Sequence, residues 1–230
     1  MLFFIMMFIS TNVFHEAHFS SLPVRATGFF SNPAGLGRQP GSEALFVYDE
    51  DFLMGAALLG YGGLGVIKTD TVYRFEAGVG YRLPGAFSFG YAYQFGDTSL
   101  HAVGVIGTVS PKLSIGYKTT LGRRKHMYFG ISLTPFERYL VLSGDYEYED
   151  IDDIRNYYYG VILQPKGLGF SFSADQDFNW RAGLMVSFRY IKIAGLYIEE
   201  SNTFRFGAIV SAQSYESFLP EPTEETYFDF

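Results

Sequence analysis

The most constraining feature of this chain is a period-two alternation between bulky apolar side chains and small or polar ones. In residues 72–82 the odd positions are Tyr, Phe, Ala, Val and Tyr, and in residues 86–95 the odd positions are all Phe or Tyr. Successive side chains of a β-strand point to opposite faces, so each segment has one apolar face and one small or polar face. The same division recurs in segments 112–118, 126–133, 168–173, 180–189 and 203–211.

The composition of the second face indicates the solvent around the strands. A soluble β-sandwich buries its bulky face and covers the other with Lys, Glu, Thr and Asp. Here the second face is mainly Gly, Ser and Ala with isolated charges, which is too sparse for a hydrated exterior. Aromatic rings that face lipid and small residues that face a lumen fit this pattern better. We therefore predict an all-β fold, an antiparallel transmembrane β-barrel, with a soluble sandwich or barrel as the alternative.

Composition excludes several other classes. Aromatic residues form 19% of the 230 residues, and the longest uninterrupted apolar run is Met1–Ile9. A transmembrane helix needs about 20 apolar residues in succession, so a helical membrane bundle is excluded. The net charge of −7 argues against a nucleic-acid partner. The chain has no cysteine, which excludes disulfides, thiolate metal sites and cysteine nucleophiles.

The spacing of the alternating segments predicts about fourteen strands. Twelve is the alternative, because the glycines of residues 60–63 could form a turn or a kink within one strand, and because the alternation slips near residues 189–192. The candidate strands are 43–49, 53–59, 62–68, 72–82, 86–95, 100–109, 112–120, 126–133, 138–148, 156–164, 167–175, 179–188, 190–199 and 203–212.

Changes in composition and in the alternating pattern divide the chain into four regions. Residues 1–20 have the apolar stretch of a signal peptide but no basic start, so a buried first strand or a misassigned start codon is the alternative. Residues 21–42 form an N-terminal plug or a clasp, and residues 43–213 form the barrel. Residues 214–230 form an acidic tail or linker, since Pro220 and Pro222 cannot lie in a central strand.

The alternation also assigns polar residues to the lumen. Charges of both signs inside a barrel either pair across it and stiffen it, or line a polar conduit; barrels of modest size are often filled by side chains. The lumen-facing candidates are Arg74, Glu76, Arg82, Gln94, Lys112, Lys118, Arg181, Arg189 and Arg205.

A short motif precedes the first strand. The run Asn32, Pro33, Ala34, Gly35 and Leu36 resembles the element near the mature N-terminus of outer-membrane barrels of the long-chain fatty-acid transporter (FadL) superfamily, which includes the PorV-like barrels. The resemblance implies a fourteen-stranded barrel with an N-terminal plug. From the residues alone, Asn32 caps and Pro33 starts a single helical turn. A turn that ties down the first strand remains the other interpretation.

The resemblance implies a transport or permeability barrel of the bacterial outer membrane for hydrophobic or small amphipathic solutes. The chain departs from that family in its short length and its charged lumen face. A similar start also occurs in barrels that precede an S49-like serine peptidase, so the alternative is a membrane anchor or scaffold, with the acidic tail as a linker to a periplasmic protein or domain. The expected partners are membrane lipid, a hydrophobic ligand and that periplasmic protein or domain.

Catalysis is not predicted. The four histidines are His15, His18, His101 and His126, and none has the spacing of a zinc-protease helix or of a nucleophile and base on one strand. No phosphate-binding loop follows the paired glycines, because no Gly-Lys-Ser/Thr sequence is present. We therefore predict no catalytic residue, no metal site and no cofactor.

Overall fold

The computed structural model describes residues 19–22, 25–29, 31–39, 41–69, 72–84, 86–96, 99–122, 125–136, 139–164, 168–188 and 190–212. The predicted tail, most of the predicted signal peptide, and Arg189 lie outside these residues. The described residues form fourteen strands: β1 Gly41–Tyr48, β2 Phe52–Gly60, β3 Gly62–Thr69, β4 Val72–Arg82, β5 Phe87–Gly96, β6 Leu100–Ser110, β7 Leu113–Leu121, β8 His126–Phe136, β9 Leu140–Glu149, β10 Ile154–Leu163, β11 Leu168–Asp175, β12 Trp180–Ser187, β13 Ile191–Ile198 and β14 Thr203–Ser211.

The strands form one closed barrel in which every strand is antiparallel to both neighbours. The sheet closes where β1 pairs with β14, from Glu43 opposite Ser211 to Tyr48 opposite Phe206. Closure leaves no strand edge unpaired, which is the condition for a sheet to span a membrane. The prediction of an antiparallel barrel is confirmed, and the strand count is fourteen rather than twelve.

Both uncertain regions of the sequence contain turns. Gly60 has a φ of +66°, and Leu59 pairs with Gly62 across the tight turn at Tyr61. Glycine adopts this left-handed conformation without the steric cost of a Cβ, so residues 53–68 form two strands rather than one kinked strand. The slip near residues 189–192 has the same cause, because β12 ends at Ser187 and β13 begins at Ile191.

The bulky apolar faces point outward. Phe89, near the middle of β5, is 42% exposed, whereas its neighbours Ser88 and Gly90 are buried on the inner face. Exposed aromatic side chains occur on the outer face of most strands. This outward apolar belt makes the protein a membrane-spanning β-barrel, the fold of the bacterial outer membrane. Within the described residues, no helix has the length and hydropathy needed to cross a membrane.

The barrel has two rims, which we call the terminal rim and the opposite rim. The terminal rim is where β1 begins and β14 ends; it carries the β2–β3, β4–β5 and β6–β7 turns. The opposite rim carries the β1–β2, β7–β8 and β9–β10 turns. Inward side chains near the terminal rim include Glu43 and Ser211, and those near the opposite rim include Arg205.

A non-strand segment lies inside the barrel. It consists of residues 19–22, a 3-10 helix at Arg25–Phe29, and residues 31–39 with the short helix α1 at Ala34–Arg38, and all of its described residues are buried. We call it the lumenal segment. Phe19 and Ser20 belong to it, so it begins before the boundary at residue 20 that the sequence suggested for a signal peptide. A cleavage after residue 20 would remove two residues that are packed within the barrel.

Candidate functional site

The lumenal segment rests on a row of inward-facing glycines. A Cβ at Gly80 would overlap the backbone of Gly37, one at Gly90 the backbone of Pro33, and one at Gly116 the backbone of Ser20. We call this row the glycine track; its members are Gly78, Gly80, Gly90, Gly104, Gly116, Gly130 and Gly160, on β4 to β8 and β10. Only residues without a side chain let the two backbones approach so closely. The glycines that dominate the second face of the alternation therefore form a seat for the segment.

Asn32 lies at the centre of this seat. Its Nδ2 donates to the carbonyl oxygens of Ser20 at 2.7 Å, Tyr117 at 3.1 Å and Val105 at 3.4 Å. Its Oδ1 accepts the backbone N–H of Ala34, the first residue of α1, at 3.1 Å. One buried carboxamide thus joins both halves of the lumenal segment to strands β6 and β7, and each of its polar atoms has a partner, as burial requires.

Residues 20–22 are attached to the wall of β6 to β9 by polar contacts. The backbone N–H of Ser20 donates to the carboxylate of Asp145 on β9. The hydroxyl of Ser21 lies 2.6 Å from the hydroxyl of Ser132 on β8. Arg38 donates from NH1 to the carbonyl oxygen of Ser21 at 3.1 Å and from NH2 to Thr108 Oγ1 at 3.3 Å. Each of these contacts involves a side chain of at least one partner, and none of them is a strand-pairing hydrogen bond.

A buried ion pair anchors the 3-10 helix near the terminal rim. Arg25 NH1 lies 3.5 Å from Glu43 Oε2, and both side chains are almost completely buried. Glu43 Oε1 also accepts the backbone N–H of Ala26 at 3.3 Å, and Arg25 donates to the hydroxyl of Ser211 at 3.3 Å. Lys192 is close enough to attract Glu43. Removal of one partner from such a buried pair leaves an uncompensated charge, which is strongly destabilising.

The other half of the lumen wall is apolar. Ala26, Phe29 and Leu36 of the lumenal segment pack against buried side chains of β1, β2 and β12 to β14. We call this surface the apolar wall; it comprises Leu45, Val47, Met54, Ala56, Leu58, Met185, Ala194, Leu196, Ile198 and Ile209. The lumenal segment therefore lies between the glycine track and the apolar wall, and it fills the space between them.

Three predicted lumen residues meet on the opposite-rim side of the segment. Gln94 Nε2 donates to Glu76 Oε2 at 3.0 Å, and Lys118 places its ammonium 4.9 Å from the ring centre of Tyr128. Glu76 and Lys118 are buried and attract each other, and Lys118 is also attracted by Asp145. The structure brings these predicted residues together as a polar cluster beside the anchor of Ser20.

The remaining predicted residues are spread over both rims. Arg205 on β14 donates from Nε to Asp49 Oδ2 at 2.6 Å and stacks 4.1 Å from the ring centre of Phe52. Arg181 is half-buried on β12, Arg74 is exposed near the opposite rim, and Arg82 is half-buried at the terminal rim.

Lys112 requires a correction. It is exposed in the turn between β6 and β7 and does not line the lumen wall. The reason is the preceding Pro111, which has no N–H for the strand ladder, so the chain turns there and β7 begins one residue later.

Sequence reasoning missed several carboxylates on the inner face of the barrel, among them Glu43, Asp49 and Asp145. These three make charged contacts, with Arg25, Arg205 and Ser20 respectively. The signal for Asp145 was available, since β9 alternates Leu, Leu, Gly, Tyr, Tyr on one face with Val, Ser, Asp, Glu, Glu on the other. The contact of Asp145 with Ser20 could not be predicted from the sequence, because the two residues are 125 positions apart.

A second polar network lies nearer the opposite rim, around Glu147. Its carboxylate accepts the hydroxyl of Tyr158 at 2.9 Å and the Nδ2 of Asn156 at 3.3 Å, and it lies 3.3 Å from His126 Nδ1. His126 also lies 3.9 Å from Glu149. The donors around Glu147 satisfy its oxygens, which suits a structural hub better than a general base. Among the residues that the structure describes, no cluster of three or more His, Asp and Glu side chains could hold a metal ion.

Known structures share the barrel. No protein-family model matches the sequence, and no curated protein matches it either. The outer membrane protein Omp33 of Acinetobacter baumannii superimposes with a TM-score of 0.57 at 9% identity, over 75% of this chain and 98% of that one. A mutant of the Rh. blastica porin gives 0.48 at 8% identity over 75% and 99%, and the KdgM porin gives 0.41 at 12% identity over 74% and 98%. The first of these shows that the chain shares the fold of an outer-membrane barrel.

Proposed function

We propose that this protein is a transport or permeability barrel of the outer membrane, and that the lumenal segment is its removable plug. One observation carries the proposal. Within the described residues, no backbone–backbone hydrogen bond joins the lumenal segment to a barrel strand, and each hydrogen bond described between them involves a side chain. A segment without ladder bonds can move while the fourteen-stranded sheet keeps all of its own. The fold shared with Omp33, an outer membrane protein, fits a barrel that spans this membrane.

We further propose small amphipathic solutes as the substrate class. The lumen has two dissimilar walls, with Leu45, Met54 and Leu196 among the residues of one and Glu76 and Lys118 in the other. A solute that passed between them once the plug moved would meet apolar side chains on one side and polar groups on the other. The resemblance of residues 32–36 to the FadL superfamily supports hydrophobic or small amphipathic solutes as the substrates.

A disulfide lock tests the proposal. Because the chain has no cysteine and the Ser21 and Ser132 hydroxyls are 2.6 Å apart, the double variant Ser21→Cys/Ser132→Cys can tie the lumenal segment to β8. We expect planar-bilayer conductance and solute uptake into liposomes to be low in the oxidised variant and to return on reduction. Ser132→Cys alone is the control, and it should not respond to the reductant. Equal transport in the oxidised and reduced double variant would exclude the plug.

The second candidate function is a membrane anchor or scaffold. The complete burial of Phe29 and Leu36 against the apolar wall favours it, because a filled barrel is rigid and need not conduct. An acidic tail would then lead to a periplasmic partner or to an S49-like peptidase domain. Absence of conductance in the wild-type protein, in the reduced lock variant and in a variant lacking residues 25–38 would favour the anchor. A reading frame that continued past Phe230 into a peptidase-like domain would do so too.

A further inference from the structure

A group of unpaired hydrogen-bond donors lies at the terminal rim, away from the polar cluster and the ion pair already described. Arg82 is the last residue of β4 and is half-buried on the inner face. Ser88 on β5 is its cross-strand partner. Arg38 ends α1 with 1% of its surface exposed, and its NH2 reaches Thr108 on β6. These residues therefore lie where α1 of the lumenal segment meets β4 to β6.

Within the described residues, none of the three side chains has all of its donors satisfied. Arg38 Nε and Ser88 Oγ are buried without a hydrogen-bond partner. Arg38 otherwise donates only to the uncharged oxygens of Ser21, Leu22 and Thr108. The Arg82 side chain makes no hydrogen bond or ion pair with a described residue, and its charge repels that of Arg38. Two guanidinium groups and a hydroxyl thus lie on neighbouring elements, and no described carboxylate pairs with them.

This arrangement is unfavourable unless an anion completes it. A buried guanidinium is costly unless an opposite charge pairs with it, and a like charge nearby raises that cost. The protein meets the same requirement elsewhere with acids, since Arg25 pairs with Glu43 and Arg205 with Asp49. At Arg38 and Arg82 the matching acid is missing from the described residues.

We propose that Arg38, Arg82 and Ser88 form a binding site for a phosphate group at the terminal rim. The planar fork of arginine donates two parallel hydrogen bonds to phosphate oxygens, and a serine hydroxyl supplies a third. Because Arg82 is half-exposed, the anion reaches the site from the aqueous rim. The phosphate belongs either to a free small anion or to the headgroup of an amphiphile at the terminal rim. Phosphate binding at this site does not require an open lumen. It can therefore be tested separately from the proposed transport function.

Calorimetric titration of the full chain in a neutral detergent tests the site, with inorganic phosphate in one arm and dodecyl phosphate in the other. We expect saturable binding in at least one arm, and the arm identifies the source of the phosphate. Arg82→Gln should weaken this binding by about tenfold or more, as the loss of a hydrogen bond to a charged group predicts. Ser88→Ala should weaken it several-fold. Heat-modifiable migration on gels confirms that each variant is folded.

Lys112→Gln is the matched control, because it removes one positive charge from the same rim at an exposed position. We expect it to change phosphate affinity by less than about twofold, as is typical of exposed charges. Equal weakening by Lys112→Gln and Arg82→Gln would mean nonspecific attraction and would overturn the proposal. So would the absence of saturable binding of either phosphate compound by the wild-type protein.

Discussion

Asn32 lies directly on the Cα of Gly104, so closely that a Cβ at position 104 would overlap its Oδ1 atom. This contact joins the most distinctive residue of the N-terminal motif to the middle of the lumen wall. It places the carboxamide within reach of the carbonyl oxygens of Tyr117 and Val105 on β7 and β6. An asparagine that binds the wall in this way explains why a glycine stands opposite it.

The first prediction is that a side chain at position 104 displaces the plug. In Gly104→Val the added atoms overlap Asn32, and overpacking of this kind costs about 1–3 kcal/mol. The lumenal segment can relieve this strain by moving, whereas the sheet cannot. We expect higher conductance in planar bilayers with an unchanged folded band on gels. Gly195→Val is the control, since a Cβ at that position meets nothing within 4 Å; a similar rise in the control would contradict the assignment.

The second prediction concerns the hydrogen bonds of Asn32. Asn32→Ala leaves the carbonyl oxygen of Ser20 and the N–H of Ala34 without their buried partner. Each lost partner costs about 1–3 kcal/mol, so the thermal midpoint in detergent should fall and plug opening should become more frequent. The neighbouring Ser31→Ala is the control, because the Ser31 hydroxyl has no hydrogen-bond partner among the described residues. A Ser31 variant as unstable as the Asn32 variant would argue against a specific role for the carboxamide.

The third prediction concerns the ion pair of the 3-10 helix. Glu43→Gln leaves Arg25 buried beside Lys192 without its carboxylate, which should cost about 3–5 kcal/mol of folding free energy. The double variant Arg25→Met/Glu43→Leu should recover most of this loss. Urea titration of refolding into lipid vesicles measures both. Glu50→Gln, at an exposed position, should have little effect. If the double variant does not regain the folding free energy lost in Glu43→Gln, the ion pair stabilises the protein by more than the neutralisation of its own two charges.

The fourth prediction separates the two faces of β5. Phe89→Arg places a charge on the lipid side near mid-strand and should cost about 2–4 kcal/mol of folding free energy in vesicles. Gln94→Arg places the same charge beside Glu76, on the inner face, where it has a partner and should be tolerated. Equal losses for the two variants would show that the faces are wrongly assigned.

Near Gly60 and near residues 187–191 the sequence indicated a break in the pattern but not its nature. Alternation within a strand depends on covalent geometry, which repeats every two residues. At a turn that period stops, and whether the chain reverses or only bends depends on the pairing of the strands on either side. The register of Leu59 with Gly62 resolved this for β2 and β3. Lys112 was misplaced for the same reason, because the pattern continues through a turn that begins at Pro111.

Residues 32–36 of the lumenal segment were recognisable as a motif, but their contacts were not. Asn32 meets Gly104, Ser20 meets Asp145 and Arg25 meets Glu43, and the first two pairs are separated by 72 and 125 positions. Nothing in the local pattern of either partner indicates the other. Such pairs form only when the barrel has closed with a particular register, so that inward positions of separate strands come to lie side by side.

The sequence by itself determined that the chain forms an antiparallel barrel, which face of each strand meets lipid, and that small residues line the lumen. These properties depend on alternation and side-chain size, which are local. Only the tertiary structure decided that the inward glycines form one track across six strands, that the N-terminal segment lies on it, and which charges pair. Those properties depend on closure and register, which join residues far apart in the chain and leave no trace in its local pattern.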